Sequence, residues 1–228
     1  WREIGRRGAQ DREAWVARAW ARVDEEVRAG RQVYVVCPRI GGEDPDAFLE
    51  EYGIDPARPS VVFVGRVTRQ KGVPYLLRAA LQLPPEVQLV LCAGAADTPE
   101  LGAEVNALIE QLKNERDGVV LIEKMLPRRA VIQILSHATA FACPSVYEPL
   151  GIVNLEAMAC GRPVITTDAP GCGETVGDGD AGFAVPPGNP AALAAAMVAV
   201  ADSPREAIAA MEESELVAET LGEHVFDY

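Results

Sequence analysis

The sequence predicts a doubly wound α/β domain, a parallel sheet with helices on both faces. Short apolar runs recur along the chain: "SVVFVG" (60–65), "VQLVLCAG" (87–94), "GVVLIE" (118–123), "TAFACP" (139–144) and "RPVITTD" (162–168). These runs are near-continuous rather than alternating, the pattern of strands buried on both faces of a sheet. Between them lie segments with helical spacing, and strand–helix alternation at this rhythm calls for crossover connections and parallel neighbours.

In chain order, "DREAWVARAWARVDEEVRA" (11–29) sets Trp15, Ala19, Val23 and Val27 on one helical stripe, and Gly30 stops it. "QVYVVC" (32–37) reads as a strand, the turn-rich "PRIGGEDPD" (38–46) as a linker and "AFLEEYG" as a short helix. Helices are expected over 73–83, 99–116, 128–138, 150–161 and 190–203, with Gly161 closing the fourth. "AGFAVPP" (181–187) is one more strand, and the last residues read as a helical tail without an assigned role. The division is an extension over 1–45, the α/β domain over 46–205 and the tail over 206–228.

Composition narrows the function. Residues 1–31 carry eight Arg against six acids, whereas the remainder carries 13 basic against 28 acidic residues, a net of −15 out of −13 for the whole chain. So acidic a body argues against non-specific nucleic-acid binding, and the step in charge near residue 31 marks the first segment as different. No apolar run approaches the roughly 18 residues that span a bilayer, and the Arg-rich start lacks a signal peptide's apolar core. The five cysteines (Cys37, Cys92, Cys143, Cys160 and Cys172) are odd in number, lack CxxC spacing and mostly sit in apolar runs. They read as reduced core thiols in a cytoplasm. No zinc pattern or other metal set is present, and His137 reads as a helix-end cation or a packed residue.

Ligands of doubly wound sheets bind at the carboxyl ends of the strands, so the loops leaving each strand are where chemistry is sought. "FVGRVTRQKG" (63–72) offers Gly65 for a tight turn and the cations Arg66 and Lys71 near a helix N-terminus, a combination that suits a pyrophosphate. A solvated basic turn fits the same residues. "CPSVYEPLGIVNLEAMACG" (143–161) opens a helix whose first amides, at Gly151 and Ile152, lack intrahelical acceptors. Glu156 stands one turn beyond Ile152, within reach of a ribose, and Glu148 precedes Pro149 facing the same space. Ser145-Val-Tyr-Glu148 also fits a capping box, the better reading of Glu148 in isolation. "GCGETVG" (171–177) has the wrong spacing for a dinucleotide loop, Asp178-Gly-Asp180 reads as a turn, and no GxxxxGK[ST] occurs.

Taken together, "FVGRVTRQKG", "VQLVLCAGAADTPE", "MLPR" and "CPSVYEPLGIVNLEAMACGRPVITTD", in this order, resemble the nucleotide-sugar domain of retaining glycosyltransferases of the B-type fold. Within that family the likeness is greatest to bacterial ADP-glucose glycogen synthases and covers about residues 46–205. The resemblance implies a Rossmann-like domain, one half of a B-type enzyme, that transfers a hexose with retained anomeric configuration, without metal or cofactor. By the same likeness Arg66 and Lys71 match the cations on the donor diphosphate, and Glu148 and Glu156 match the E-x7-E acids beside the donor sugar and on the ribose. Gly151 and Ile152 match the backbone that meets the phosphates, Met125 and Leu126 fall where the base is cradled, and Glu174 matches a further acid. On this reading Glu148, Arg66 and Lys71 carry the chemistry, with Gly65 in the phosphate loop. The expected ligand is a nucleotide sugar such as ADP-glucose or UDP-glucose.

The family has two such domains, and this chain has room for the second. Transfer by this chain alone is therefore not expected, a glucan acceptor would be met through the missing N-terminal domain, and an exposed face could support a homodimer. The alternative is a non-catalytic nucleotide-binding or oligomerisation module. "ARAWARVDEEVRAGRQVYVVCPRIGGED" in residues 1–45 resembles a segment of RecG-type DNA helicases, which would make the chain a recombined or truncated one; a plain helix–strand extension of the sheet is the alternative there.

Overall fold

The computed structural model describes residues 45–148, 151–176 and 182–203, together with Arg28. Of the helix expected over 11–29, only Arg28 is described, and it is helical. The strand over 32–37, the rest of the helicase-like segment, Asp178 to Asp180 and the 206–228 tail lie outside the described residues.

The order of elements is α1 (Pro45–Glu51), β1 (Ser60–Val67), α2 (Val73–Ala80), β2 (Gln88–Ala96), α3 (Pro99–Glu115), β3 (Val119–Ile122), α4 (Arg128–His137), β4 (Ala140–Cys143), α5 (Ile152–Ala159), β5 (Val164–Thr167), a 3-10 turn (Gly173–Thr175), β6 (Gly182–Val185) and α6 (Pro190–Asp202). The six strands form one all-parallel sheet in the order β3-β2-β1-β4-β5-β6. This is the doubly wound architecture that the apolar runs predict. Winding reverses between β1 and β4, and a crevice opens at such a reversal outside the carboxyl ends of the strands.

Side-chain alternation explains why the runs read as continuous. Val61 and Phe63 of β1, with Leu89 and Leu91 of β2, pack against Leu76 and Leu77 of α2, Leu101 of α3 and Met197 of α6. Val62, Val90 and Phe141 point the other way, onto Leu49 of α1, Ile134 and Leu135 of α4 and Met158 of α5. Strands β1, β2 and β4 therefore each feed two apolar layers, so their middle positions are apolar without a break.

Several boundaries move for identifiable reasons. The expected helix over 73–83 ends at Ala80, because the Arg116 guanidinium takes the carbonyls of Ala80 (2.8 Å), Leu83 (3.2 Å), Pro84 (3.1 Å) and Val87. The helix expected from 150 begins at Ile152, behind Gly151 in the left-handed region at φ 63°. The linker gives up Pro45 and Asp46 to α1. Strand β1 runs on to Val67, so Gly65 does not turn the chain; a Cβ there would meet the Phe63 ring at 3.0 Å. The turn is made instead at Gly72, φ 65°. Pairing of β1 with β2 slips after Gly65↔Ala93 to Val67↔Ala96, so Arg66 faces a bulge at Gly94 and Ala95.

At Gly72 a Cβ would lie 2.0 Å from the Pro144 carbonyl oxygen, backbone that cannot retreat cheaply, whereas at Gly161 (φ 70°) it would meet nothing within 4 Å. Both alanine variants bear left-handed strain of about 1 kcal/mol, and only Gly72→Ala adds a backbone collision, so it should lose about 2 kcal/mol more than Gly161→Ala in urea unfolding. Equal losses would show that the two loops do not touch at this point.

Candidate functional site

The β1–α2 and β4–α5 loops flank the winding reversal and are held to each other. The Val146 N–H donates to the Gln70 carbonyl at 2.9 Å. Within the first loop, the Lys71 N–H donates to the Thr68 carbonyl (3.1 Å) and to its Oγ1 (3.2 Å). From outside, Glu104 of α3 accepts from Arg78 (2.9 Å) and from Arg69 (2.7 Å). Those two hydrogen bonds, Arg78 first, hold the Glu104 carboxyl below its ordinary range.

The second loop is fastened from β5. Thr166 Oγ1 donates to the Cys143 carbonyl at 3.2 Å, and Thr167 Oγ1 donates to the Ser145 carbonyl. The Glu148 N–H donates to the Pro170 carbonyl at 3.3 Å. A threonine pair read from sequence only as strand formers therefore anchors the loop that carries Glu148.

Lys71 Nζ and the Glu148 carboxylate form an ion pair across the junction, with the two side chains 19% and 12% exposed. Ser145 Oγ lies 3.5 Å from the same carboxylate oxygen. The capping-box reading of Glu148 is thereby corrected: the helix starts at Ile152, beyond the reach of a Ser145–Glu148 cap, and the carboxylate turns to the ammonium instead. Arg66 stands exposed at the bulge, and alternation puts it on the same face of β1 as Val64.

Helix α5 begins with no side-chain cap and no acid in its first turn. The Gly151 carbonyl already takes the N–H groups of Asn154 (2.8 Å) and Leu155 (3.4 Å), so among the described residues the amides of Ile152 and Val153 remain as open donors. The helix dipole adds partial positive charge there. Gly151 is closely backed: a Cβ would lie 3.0 Å from the Gly171 carbonyl and 3.2 Å from Asn154 Nδ2. Asn154 Nδ2 in turn donates to Thr175 Oγ1 at 2.9 Å, tying the helix start to the 3-10 turn.

On the α4–α5 side, Leu126 and Glu156 line one cavity of about 250 Å³ with Val64, Arg128, Val131 and Cys160. Arg128 approaches Glu156 at 3.8 Å. Met125 lies outside this cavity at 97% exposure. Of the expected residues, the fold thus gathers Arg66, Lys71, Glu148, Gly151 and Ile152 at the ends of β1 and β4, and Leu126 with Glu156 in the adjoining cavity. Gly65 sits below, inside the strand, and nothing is described of the Glu174 side chain. The sequence puts Arg128 at the end of "MLPR" and at the start of the helix over 128–138 without a role of its own; its position four before Ile132, on the face that meets α5, is the further signal available.

Six of the 13 basic residues after residue 31 lie between the end of β1 and the start of α2 or between the end of β3 and the first turn of α4: Arg66, Arg69, Lys71, Lys124, Arg128 and Arg129. In an otherwise acidic body this focuses positive potential at one end of the sheet, and the chemistry it suits is that of a polyanionic ligand held by ammonium, guanidinium and amide hydrogens. Among the described residues, no group of three or more His, Cys, Asp or Glu is gathered as a metal ion would need.

Comparison with known proteins places these features in context. The profile of the family described as "Glycosyl transferases group 1" matches residues 44–215. The alpha-maltose-1-phosphate synthase of Mycolicibacterium smegmatis is 52% identical over 159 residues, which cover 70% of this chain and 41% of the relative. The chain thus spans less than half the length of that curated relative. Among solved structures, Anabaena HepE in complex with UDP and glucose superposes with a TM-score of 0.69 at 25% identity, covering 80% of this chain and 48% of that one. The C-terminal domain of a group 1 glycosyl transferase from Francisella tularensis (LpcC), at 20% identity, shares the fold with a TM-score of 0.65, over 78% of this chain and 93% of that domain.

The ion pair gives a direct test of the junction. Lys71→Met leaves a nearly buried carboxylate without its partner and should cost about 1–3 kcal/mol. Adding Glu148→Gln should recover part of that loss, giving a coupling above about 0.5 kcal/mol in a urea-unfolding double-mutant cycle. Additive single losses would mean that the two groups do not interact.

Proposed function

This chain belongs to the group 1 glycosyl transferases, and from that premise we propose that residues 46–205 are the donor half of a retaining hexosyltransferase, binding a nucleoside diphosphate sugar at the ends of β1 and β4. The observation that carries the reading is convergence: an exposed guanidinium, an ammonium and two open helix amides, from separate crossovers, around one crevice.

In this reading Arg66 and Lys71 contact the diphosphate, joined by the backbone at Gly151 and Ile152. Their charge is worth most as the sugar–phosphate bond breaks, when negative charge builds on the departing diphosphate. Lys71 meanwhile holds Glu148 beside the donor sugar, either as a nucleophile or as the group that positions the ring. Glu156 accepts from the ribose hydroxyls, with the base lying toward Leu126 and Met125. No metal or organic cofactor is required, because the cations of the chain do the work of a divalent ion.

The substrates follow from similarity. The name of the 52%-identical relative favours formation of maltose 1-phosphate as the activity of a full-length protein, and a glucan-extending, glycogen-synthase-like reaction is the alternative. ADP-glucose and UDP-glucose are both candidate donors. The acceptor would be held by a second domain, and the exposed Val146, Tyr147 and Ile152 beside the crevice are the apolar surface that such a domain, or a second copy, would cover. Without that cover, water is not excluded and the acceptor is not placed. A cytoplasmic setting fits free, buried thiols; among the described residues no helix is long and apolar enough to cross a membrane.

Calorimetry with ADP, UDP and GDP tests the reading. At least one should bind, and Arg66→Ala, at an exposed position, should weaken that binding by about 1–3 kcal/mol, roughly 5- to 150-fold, without lowering stability. If no nucleotide binds, or the variant binds as the parent does, the donor-site assignment falls.

A further inference from the structure

The amides of Ile152 and Val153 lie open at the start of α5, and no side-chain cap precedes them. What holds them comes from the side. Asn154, in the first turn of α5 and 0% exposed, donates from Nδ2 to Thr175 Oγ1 at 2.9 Å. The Thr175 hydroxyl gives its own hydrogen to the Cys172 carbonyl at 2.6 Å. That bond commits the hydroxyl as a donor, so the group of Asn154 that faces it is the NH2. Asn154 Oδ1 is left buried without a hydrogen-bond partner among the described residues. Three atoms crowd the face of Gly151 where a Cβ would stand: the Gly171 carbonyl oxygen (3.0 Å), Asn154 Nδ2 (3.2 Å) and Thr175 Cγ2 (3.2 Å).

The far side of this contact is anchored. The Ala169 carbonyl accepts from the amides of Cys172 (2.9 Å) and Gly173 (3.3 Å), and the Cys172 carbonyl accepts from the Thr175 amide (3.1 Å). Cys172 and Val176, on either side of the 3-10 turn, are both buried in the layer that contains Phe141 and Met158. "GCGETVG", which in the sequence has the wrong spacing for a dinucleotide loop, is therefore a bracket. It is sunk in the core on both sides of the turn, and its Thr175 grips the start of α5.

We propose that Asn154 and Thr175 are positioning residues for the donor phosphates: their hydrogen bond sets where the Ile152 and Val153 amides point, acting through the backbone of Gly151. The inference rests on the donor-site reading above. Stability alone gives no reason for the arrangement. A fully buried position among apolar neighbours is filled more favourably by an apolar side chain than by an amide with an orphaned oxygen. What the amide adds is direction, because a hydrogen bond fixes helix against turn at one distance and one rotation. Donors already held in place bind an anion without first having to be ordered, so affinity depends on how firmly they are held.

Urea unfolding, with calorimetry on ADP, UDP and inorganic pyrophosphate, separates position from stability. Thr175→Val strands the buried Asn154 amide and should lower stability and affinity together. Adding Asn154→Leu replaces both partners by apolar groups of similar shape, so stability should recover toward that of the parent. Affinity should not recover: the double variant should bind both pyrophosphate and whichever nucleotide the parent binds about tenfold more weakly. Thr175→Ser keeps the hydroxyl and should bind as the parent does. In the double variant, 15N order parameters at Gly151, Ile152 and Val153 should fall from about 0.85 toward 0.6. Affinity that recovers with stability overturns the proposal. So does a loss confined to the nucleotides with pyrophosphate unaffected, which would place the effect at Glu156 on the same helix. A parent that binds none of the three ligands sinks the donor-site reading, whereas unchanged order parameters overturn the Asn154–Thr175 lock whatever binds.

Discussion

The contact between Gly72 and the Pro144 carbonyl is the constraint from which the site follows. The β1–α2 and β4–α5 loops leave adjacent strands that wind to opposite sides, and nothing in the sheet itself obliges them to meet. They meet because Gly72, in the left-handed region and without a side chain, lets backbone touch backbone. The Val146–Gln70 hydrogen bond can then form, and Lys71 comes within reach of Glu148. With any larger residue at 72 the loops would stand apart, and a cation from one crossover could not share a space with a carboxylate from the other.

That shared space is electrostatically balanced as well as shaped. Lys71 and Glu148 are both largely withdrawn from water, so each makes the burial of the other tolerable. Arg66 is not withdrawn, and its charge is directed outward at the bulge. One cation therefore maintains the architecture while a second stays open to solvent. The β5 threonines and the Glu104 bridge hold these groups from behind, so the apolar layers, the loop anchors and the charged rim form a single chain of support.

Much of this was legible in the sequence, for physical reasons. Strands buried on both faces must be apolar throughout, so "SVVFVG" and "VQLVLCAG" announced a parallel sheet directly. A glycine followed by a helical stretch announced where α5 would start, within two residues. What was not legible depended on long-range partners. Gly65 and Gly72 look alike in a string, and only the neighbouring crossover distinguishes the strand residue from the turn. Ser145 and Glu148 have the spacing of a cap, but the carboxylate answers to an ammonium 77 residues away. Arg128 lines a cavity with Glu156 because α4 and α5 lie side by side, a fact of tertiary packing that helical periodicity alone does not contain.

Arg116 shows how strongly one side chain can fix a connector. Its guanidinium gathers the carbonyls of Ala80, Leu83, Pro84 and Val87, so the hairpin-like passage from α2 into β2 is wrapped around a single planar hub. Surface connectors are ordinarily where lineages gain and lose residues. This one is closed to such drift, since any insertion would strip several acceptors from the hub at once. Length variation among cousins of this chain should therefore collect elsewhere, and engineers seeking a split point or a place to graft a reporter would do better to leave this connector intact.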